Sequence, residues 1–98
     1  MIVDLDRIDW ATLGIALRME LETRRNAEAV KGAILKRAAR QARVSERVLE
    51  ITAGGKVKLS SLSLYRVCAL LGKKPETFLI DEATAAARAA FDQIGGKP

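Results

Sequence analysis

Apolar residues recur every three to four positions through much of this 98-residue chain, which is the spacing of helices that bury one face. Trp10, Leu13 and Leu17 follow this spacing near the start of the chain, and Asp9 is placed to cap the segment. The pattern predicts a first helix over residues 9–25.

A pair of short helices is predicted next. Over residues 34–42 the leucine and the alanines share one face, and the basic side chains lie mainly on the others. Ser45 is a favourable N-cap for a following helix that runs to about Ala53, where Gly54-Gly55 supplies a stop. Residues 26–33 are ambiguous, since they either extend the first helix or form a turn of their own.

A further helix is expected to begin after Ser60 or Ser61 and to end near Leu71, with Gly72 as its stop. Pro75 then occupies a favourable first position for a short turn of helix. The apolar residues of the longer helix that are available for burial are Leu62, Tyr65, Cys68, Ala69 and Leu71.

An alanine-rich segment over residues 81–94 predicts a last helix, whose small side chains suit either a lid on the domain or a dimer contact. The sequence shows no internal repeat and no convincing strand. The patterns together predict an all-α fold, a small helical bundle of five to six helices that forms a single domain over residues 1–98.

Composition removes several kinds of chemistry. The chain has no histidine and a single cysteine, so it lacks the commonest metal ligand and general base and cannot form an intramolecular disulfide. Cys68 lies on an apolar helix face, and we interpret it as a core residue rather than a nucleophile. There is no phosphate-binding glycine loop and no cluster of metal ligands. We expect no enzymatic activity, no metal and no cofactor.

Nothing in the sequence indicates a membrane protein. No segment approaches the ~18 consecutive apolar residues of a membrane span. The N-terminal stretch MIVDLDRIDW is acidic and has no long apolar run, which argues against a signal peptide. We therefore expect a cytoplasmic protein with no membrane partner.

Positive charge is concentrated in the middle of the chain. Residues 24–74 carry thirteen basic and three acidic side chains, a net charge of +10, whereas residues 1–23 and 75–98 carry −3 and −2. A basic block of this kind attracts a polyanion such as nucleic acid. The alternative is a solvated face that keeps the protein in solution.

The spacing over residues 34–54 meets the requirements of a helix–turn–helix. The motif needs a small residue where its two helices cross, and Ala39 fills that place. It also needs apolar residues before and after the turn, which join both helices to one core. Those positions are held by Ala38, Ala42, Val44 and Leu49.

From about Asp9 to Leu79 the chain resembles the lambda-repressor-like, or Cro/XRE, family of DNA-binding domains. RIDWATLGIALRMELETRR is similar to the first helix of that family, and LKRAARQARVSERVL to its helix–turn–helix. GGKVKLSSLSLYRVCALLGKKPETFL is similar to the loop and last two helices, including the family's leucine–glycine, proline–glutamate and phenylalanine–leucine succession. The resemblance implies a lambda-repressor-like fold, to which residues 81–94 add an extra C-terminal helix.

In this family the start of the second motif helix contacts base edges. Carried over by position, the resemblance assigns base reading to Ser45, Glu46, Arg47, Val48 and Ile51. Arg47 is the strongest candidate, because a guanidinium can grip guanine O6 and N7 bidentately. The basic side chains that are candidates for phosphate contact are Lys36, Arg37, Arg40, Arg43, Lys56 and Lys58.

Two positions depart from the family pattern. Arg43 stands where the family usually has glycine at the tight turn, so either Arg43 accepts a positive φ at a cost of around 1 kcal/mol or the turn is built differently. Thr52 stands where an apolar residue is expected near the end of the second helix. Val44, Val48 and Ile51 form an alternative apolar stripe, whose burial would rotate this helix.

The resemblance implies a sequence-specific transcriptional regulator that is bacterial or phage-encoded and associated with the nucleoid. We expect a homodimeric repressor that reads an inverted repeat in double-stranded DNA with the helix starting near Ser45. The alternative is a degenerate helix–turn–helix that binds protein, as an antiactivator or an antitoxin. Arg43, Thr52 and the Val48–Ile51 stripe favour that alternative.

Overall fold

The computed structural model describes residues 3–27, 33–81, 83–84, 86–87 and 90. These residues contain four α-helices, which are α1 (Trp10–Ala27), α2 (Ile34–Ala42), α3 (Glu46–Gly54) and α4 (Ser61–Leu71). Single 3₁₀ turns at Leu5–Arg7 and Pro75–Phe78 flank them. The prediction of an all-α fold is confirmed. No helix in this described part of the chain combines the length and the apolar character that crossing a membrane requires.

The described residues contain four α-helices, fewer than the five to six predicted for residues 1–98. The segment that starts at Pro75 is a 3₁₀ turn and does not lengthen into an α-helix, since Leu79 is extended and pairs with Ile8 in an isolated antiparallel bridge. The predicted C-terminal helix over residues 81–94, like the ambiguous segment 26–33, lies largely outside the described residues.

Three of the four helices begin at the side-chain caps expected from the sequence. The capping hydrogen bonds run from the backbone N–H groups of Thr12, Val48 and Ser63 to the side chains of Asp9, Ser45 and Ser60, at 3.1, 3.1 and 3.2 Å. Such a cap satisfies an N–H group that has no partner inside the helix and contributes about 1 kcal/mol. The predicted bounds of these helices are confirmed to within two residues.

The core lies between α1, α3 and α4, and α2 closes it with small side chains. The largest fully buried side chains are Leu13, Leu17, Leu49, Leu64, Val67 and Cys68. Ala38, Ala39 and Ala42 of α2 are buried against them, as the helix–turn–helix spacing predicts. Each buried leucine or valine contributes about 1.5–3 kcal/mol, so these contacts are the main force that holds α3 in place.

α4 buries a different face from the one predicted. Cys68 is buried as expected, but Leu62 and Tyr65 remain 59% and 37% exposed, and Ala69 is exposed as well. The other buried residues are Leu64, Val67 and Leu70. Eight of the 11 residues of this helix are apolar, so the periodicity of the sequence did not distinguish between the two faces.

The segment before α1 is joined to the segment after α4. Beside the bridge between Ile8 and Leu79, the backbone N–H of Ile80 donates to the carbonyl of Arg7 at 2.8 Å. The Nε of Arg7 donates in return to the carbonyl of Ile80, also at 2.8 Å. These bonds place the start of α1 beside the end of the 3₁₀ turn at Pro75–Phe78, and they close the core at that side.

α1 crosses the C-terminal end of α3 at very short range. Gly14 is buried there, and a Cβ at this position would lie 2.7 Å from the carbonyl oxygen of Thr52 and 2.9 Å from the Cα of Gly55. Gly55 itself has a φ of 73° and ends α3. A side chain at either position would strain the backbone or push the two helices apart.

Replacing Gly14 with alanine should lower the free energy of unfolding by about 2 kcal/mol, because the added methyl group meets backbone atoms that cannot move aside. Gly54→Ala is the matched control, since nothing lies within 4 Å of a Cβ at that position. It should be neutral or stabilising by up to about 1 kcal/mol. Urea denaturation measures both changes, and equal shifts for the two variants would contradict the close helix crossing.

Candidate nucleic-acid interface

The turn between α2 and α3 is left-handed. Arg43 has φ 61° and ψ 39°, and it is the one non-glycine residue with positive φ in the described part of the chain. Its N–H donates to the carbonyl of Arg40 at 3.2 Å, and the N–H of Val44 donates to that of Ala39 at 3.0 Å, which is the Schellman pattern of a helix C-terminus. Of the two possibilities raised by the sequence, the structure thus shows a positive φ at Arg43.

α3 turns Leu49 and Thr52 into the core, where they are 0% and 2% exposed. The hydroxyl of Thr52 donates to the carbonyl of Val48 at 2.6 Å, which satisfies its polar atom and leaves its methyl group to pack. Val48 and Ile51 are half-buried at the edge of the same face. Thr52 therefore occupies the expected apolar position, and α3 is not rotated to bury the Val44–Val48–Ile51 stripe in its place.

This orientation exposes the first turn of α3. Ser45, Glu46 and Arg47 are exposed, and the Ser45 hydroxyl serves as the N-cap of the helix. The carboxylate of Glu46 lies in the first helical turn, where the helix dipole favours negative charge. Three of the five residues assigned to base reading are therefore exposed, while Val48 and Ile51 are accessible only in part.

α2 has a buried apolar face and a basic outer face. Lys36, Arg40 and Arg43 follow one another at helical spacing and are exposed, and Arg37 is exposed beside them. No acidic residue occurs in the sequence over residues 33–45. This outer face therefore presents only positive charge next to the exposed turn of α3.

Two further cations predicted to contact phosphate lie on the loop after α3. Lys56 and Lys58 are both exposed. The Nζ of Lys58 lies 2.7 Å from Oδ1 of Asp6, and the two side chains are 55% and 82% exposed. An ion pair that is this exposed is weak and opens readily. The structure therefore brings an acidic residue of the N-terminal segment against one of the predicted phosphate contacts.

Arg66 contacts the turn and was not predicted as a site residue. Its Nη1 donates to the carbonyl oxygen of Arg43 at 3.0 Å, and its side chain is half-buried. Together with Gln41, these two arginines line a shallow pocket of about 330 Å³ between α2 and α4. The sequence does single out Arg66 as the one charged residue of α4. Nothing in the sequence, however, indicates that this residue contacts the turn between α2 and α3.

Cys68 shows no feature of a reactive cysteine. Burial raises the pKa of its thiol to about 11, and the nearby Glu76 adds to this shift. The thiol therefore stays protonated near neutral pH and lacks the thiolate form that nucleophilic attack requires. Over the described residues, no group of three or more cysteine, aspartate or glutamate side chains is arranged to hold a metal ion.

No protein-family model, curated protein sequence or solved structure matches this chain. Its function is therefore inferred from its own geometry and charge. The candidate site is the exposed first turn of α3 together with the basic outer face of α2 and the loop after α3.

Replacing Arg43 with glycine should raise the free energy of unfolding by roughly 0.5–1 kcal/mol, because glycine adopts the left-handed conformation without a strained Cβ. Arg40→Gly is the matched control, since it places the same glycine in the regular part of α2 and should lower the free energy of unfolding by about 1 kcal/mol. Urea denaturation at one pH and salt concentration compares the variants. Shifts in the same direction would contradict a left-handed turn at Arg43.

Proposed function

We propose that this chain is a lambda-repressor-like, sequence-specific DNA-binding protein that acts as a homodimeric transcriptional repressor. The observation that carries the proposal is the exposed first turn of α3 beside an outer face of α2 whose charged residues are all basic. In this proposal α3 enters the major groove and the protein works in the cytoplasm on the nucleoid. It catalyses no reaction and needs no metal or cofactor.

Arg47 is the residue proposed to specify sequence. It is exposed and lies two positions after the N-cap Ser45, so its guanidinium projects from the end of α3 that would face base edges. A bidentate contact to guanine discriminates against other bases by about 1–3 kcal/mol. Glu46 is placed to accept from cytosine N4, while Val48 and Ile51 offer apolar edges for a thymine methyl group.

The exposed cations of α2, the turn and the loop after α3 are proposed to bind phosphates. They are Lys36, Arg37, Arg40, Arg43, Lys56 and Lys58. Phosphate contacts fix the position of the protein on the duplex without reading its sequence. Each contact releases condensed counterions, so affinity should fall steeply with salt.

Homodimerisation follows from the small size of the reading element. The reading element consists of the N-cap Ser45 and the first two residues of α3, and such an element reads few base pairs. Two copies related by a two-fold axis would read an inverted repeat and double the contacts. The proposed operator is therefore palindromic, with half-sites about one helical turn apart.

A second candidate function is a protein-binding module, acting as an antiactivator or antitoxin. It is favoured by large apolar side chains that are 37–66% exposed, namely Ile15, Met19, Val57, Leu62 and Tyr65. The outer side of α3 also carries two acidic residues, Glu46 and Glu50, against one basic residue. For such a module, Arg47→Ala would leave function intact, whereas Met19→Ser would abolish it.

Selection from a random duplex library with purified protein tests the DNA-binding proposal, and we expect an inverted repeat to be enriched. On the selected site, Arg47→Ala should weaken binding by about 1–3 kcal/mol and relax the preference at one position of each half-site. Lys36→Ala should weaken binding to all sequences alike and reduce the salt slope by about 1.

Lys74→Ala is the control for that experiment, because Lys74 is an exposed lysine outside the candidate site. It should change neither the affinity nor the preference. The DNA-binding proposal fails if a folded protein enriches no sequence. It also fails if all three variants bind as the parent protein does.

Replacing Asp6 with asparagine should strengthen DNA binding by up to about fivefold at low salt, because it frees Lys58 and removes a negative charge beside a phosphate contact. Glu22→Gln is the matched control. It removes one negative charge from another exposed ion pair, with Arg25, on α1. Electrophoretic mobility shift at several salt concentrations compares the two variants. If both variants gained the same DNA affinity, the effect would come from net charge alone and not from the release of Lys58.

A further inference from the structure

We infer that Arg66 of α4 is a positioning residue for DNA recognition, which holds the left-handed turn at Arg43 and thereby sets the direction of α3 without contacting DNA. This inference rests on the proposed DNA-binding function and deepens it. It concerns a residue outside the helix–turn–helix, on a helix that the sequence did not connect with the site.

Within the turn, the carbonyl of Arg43 is the backbone group that bonds to Arg66. The N–H groups of Arg43 and Val44 are both directed back into the last turn of α2. The carbonyl of Arg43 points the other way and accepts from Nη1 of Arg66 at 3.0 Å. A hydrogen bond from a guanidinium is charge-assisted and stronger than a neutral one. Arg66 therefore fixes the peptide unit that leads out of the left-handed residue.

The turn needs such support because its left-handed residue is an arginine. A residue with a Cβ is strained in this conformation, whereas glycine is not. Arg66 also places a positive charge at the C-terminal end of α2, where the helix dipole attracts cations. The guanidinium of Arg66 thus stabilises both the bent chain and the end of the helix that precedes it.

Arg66 is anchored on the rigid part of the molecule. Its neighbours Leu64 and Val67 on α4 are 0% exposed, so the stem of Arg66 starts from a helix that cannot shift freely. Arg43 stands two residues before the N-cap of α3. A change in its backbone angles would swing the first turn of α3, and a bidentate contact made there by Arg47 tolerates little misalignment.

Salt-dependent DNA titrations of three variants test the inference at a temperature where circular dichroism shows all of them folded. Arg66→Met keeps an unbranched apolar stem but removes the donor and the charge, and Arg66→Lys keeps a charged donor. Lys73→Met is the control, because it removes the same charge from an exposed position just after α4. The duplex is the one selected by the parent protein.

Arg66→Met should raise the Kd about tenfold with an unchanged salt slope, since no phosphate contact is lost. Arg66→Lys should recover part of this loss, and Lys73→Met should stay within about twofold of the parent. In an Arg43→Gly background, Arg66→Met should cost less than about threefold, because glycine holds the left-handed turn unaided.

Several outcomes would overturn the inference. A salt slope that falls by about 1 in Arg66→Met would make Arg66 a phosphate contact. If Arg66→Met lowered the melting temperature but left the Kd for DNA unchanged, the role of Arg66 would be purely structural. If Arg66→Met weakened DNA binding equally with arginine and with glycine at position 43, Arg66 would not act through the left-handed turn. If the parent protein selects no duplex, the proposed function fails and this inference with it, whereas the other outcomes leave DNA binding intact.

Discussion

The constraint on which the rest of the structure depends is that α3 is held at both of its ends. At its start, the left-handed residue Arg43 bends the chain sharply out of α2. At its end, Gly14 of α1 lies so close to Thr52 and Gly55 that no side chain fits between the helices. These two contacts set the direction of α3, and one face of it lies buried against the core.

This constraint decides what the protein can present to a partner. Because Leu49 and Thr52 face inward, the turn that contains Arg47 faces outward, beside the basic outer face of α2. A rigid exposed helix end among cations suits a partner with regularly spaced phosphates and base edges between them. The exposed apolar residues Ile15 and Met19 lie on α1 instead, so a protein partner that binds to α1 would use a different surface of the molecule.

Features that depend on neighbouring residues were predicted well from the sequence, because caps, glycine stops and amphipathic spacing act over a few positions. The caps Asp9 and Ser45 are examples. Hydrogen bonds between residues far apart in the sequence were not predicted. The bond from Arg66 to Arg43 spans 23 residues and that from Lys58 to Asp6 spans 52. The buried face of α4 was also ambiguous, because most of that helix is apolar.

The most direct test of DNA binding through α3 is a residue-resolved map of amide chemical shifts as duplex is added to the isotope-labelled protein. If the first turn of α3 enters the groove, the largest changes fall on the amides of Ser45, Glu46 and Arg47, followed by those of the basic face of α2. Changes confined to α1 around Met19, with the amides of α3 unmoved, would contradict the proposed mode of binding.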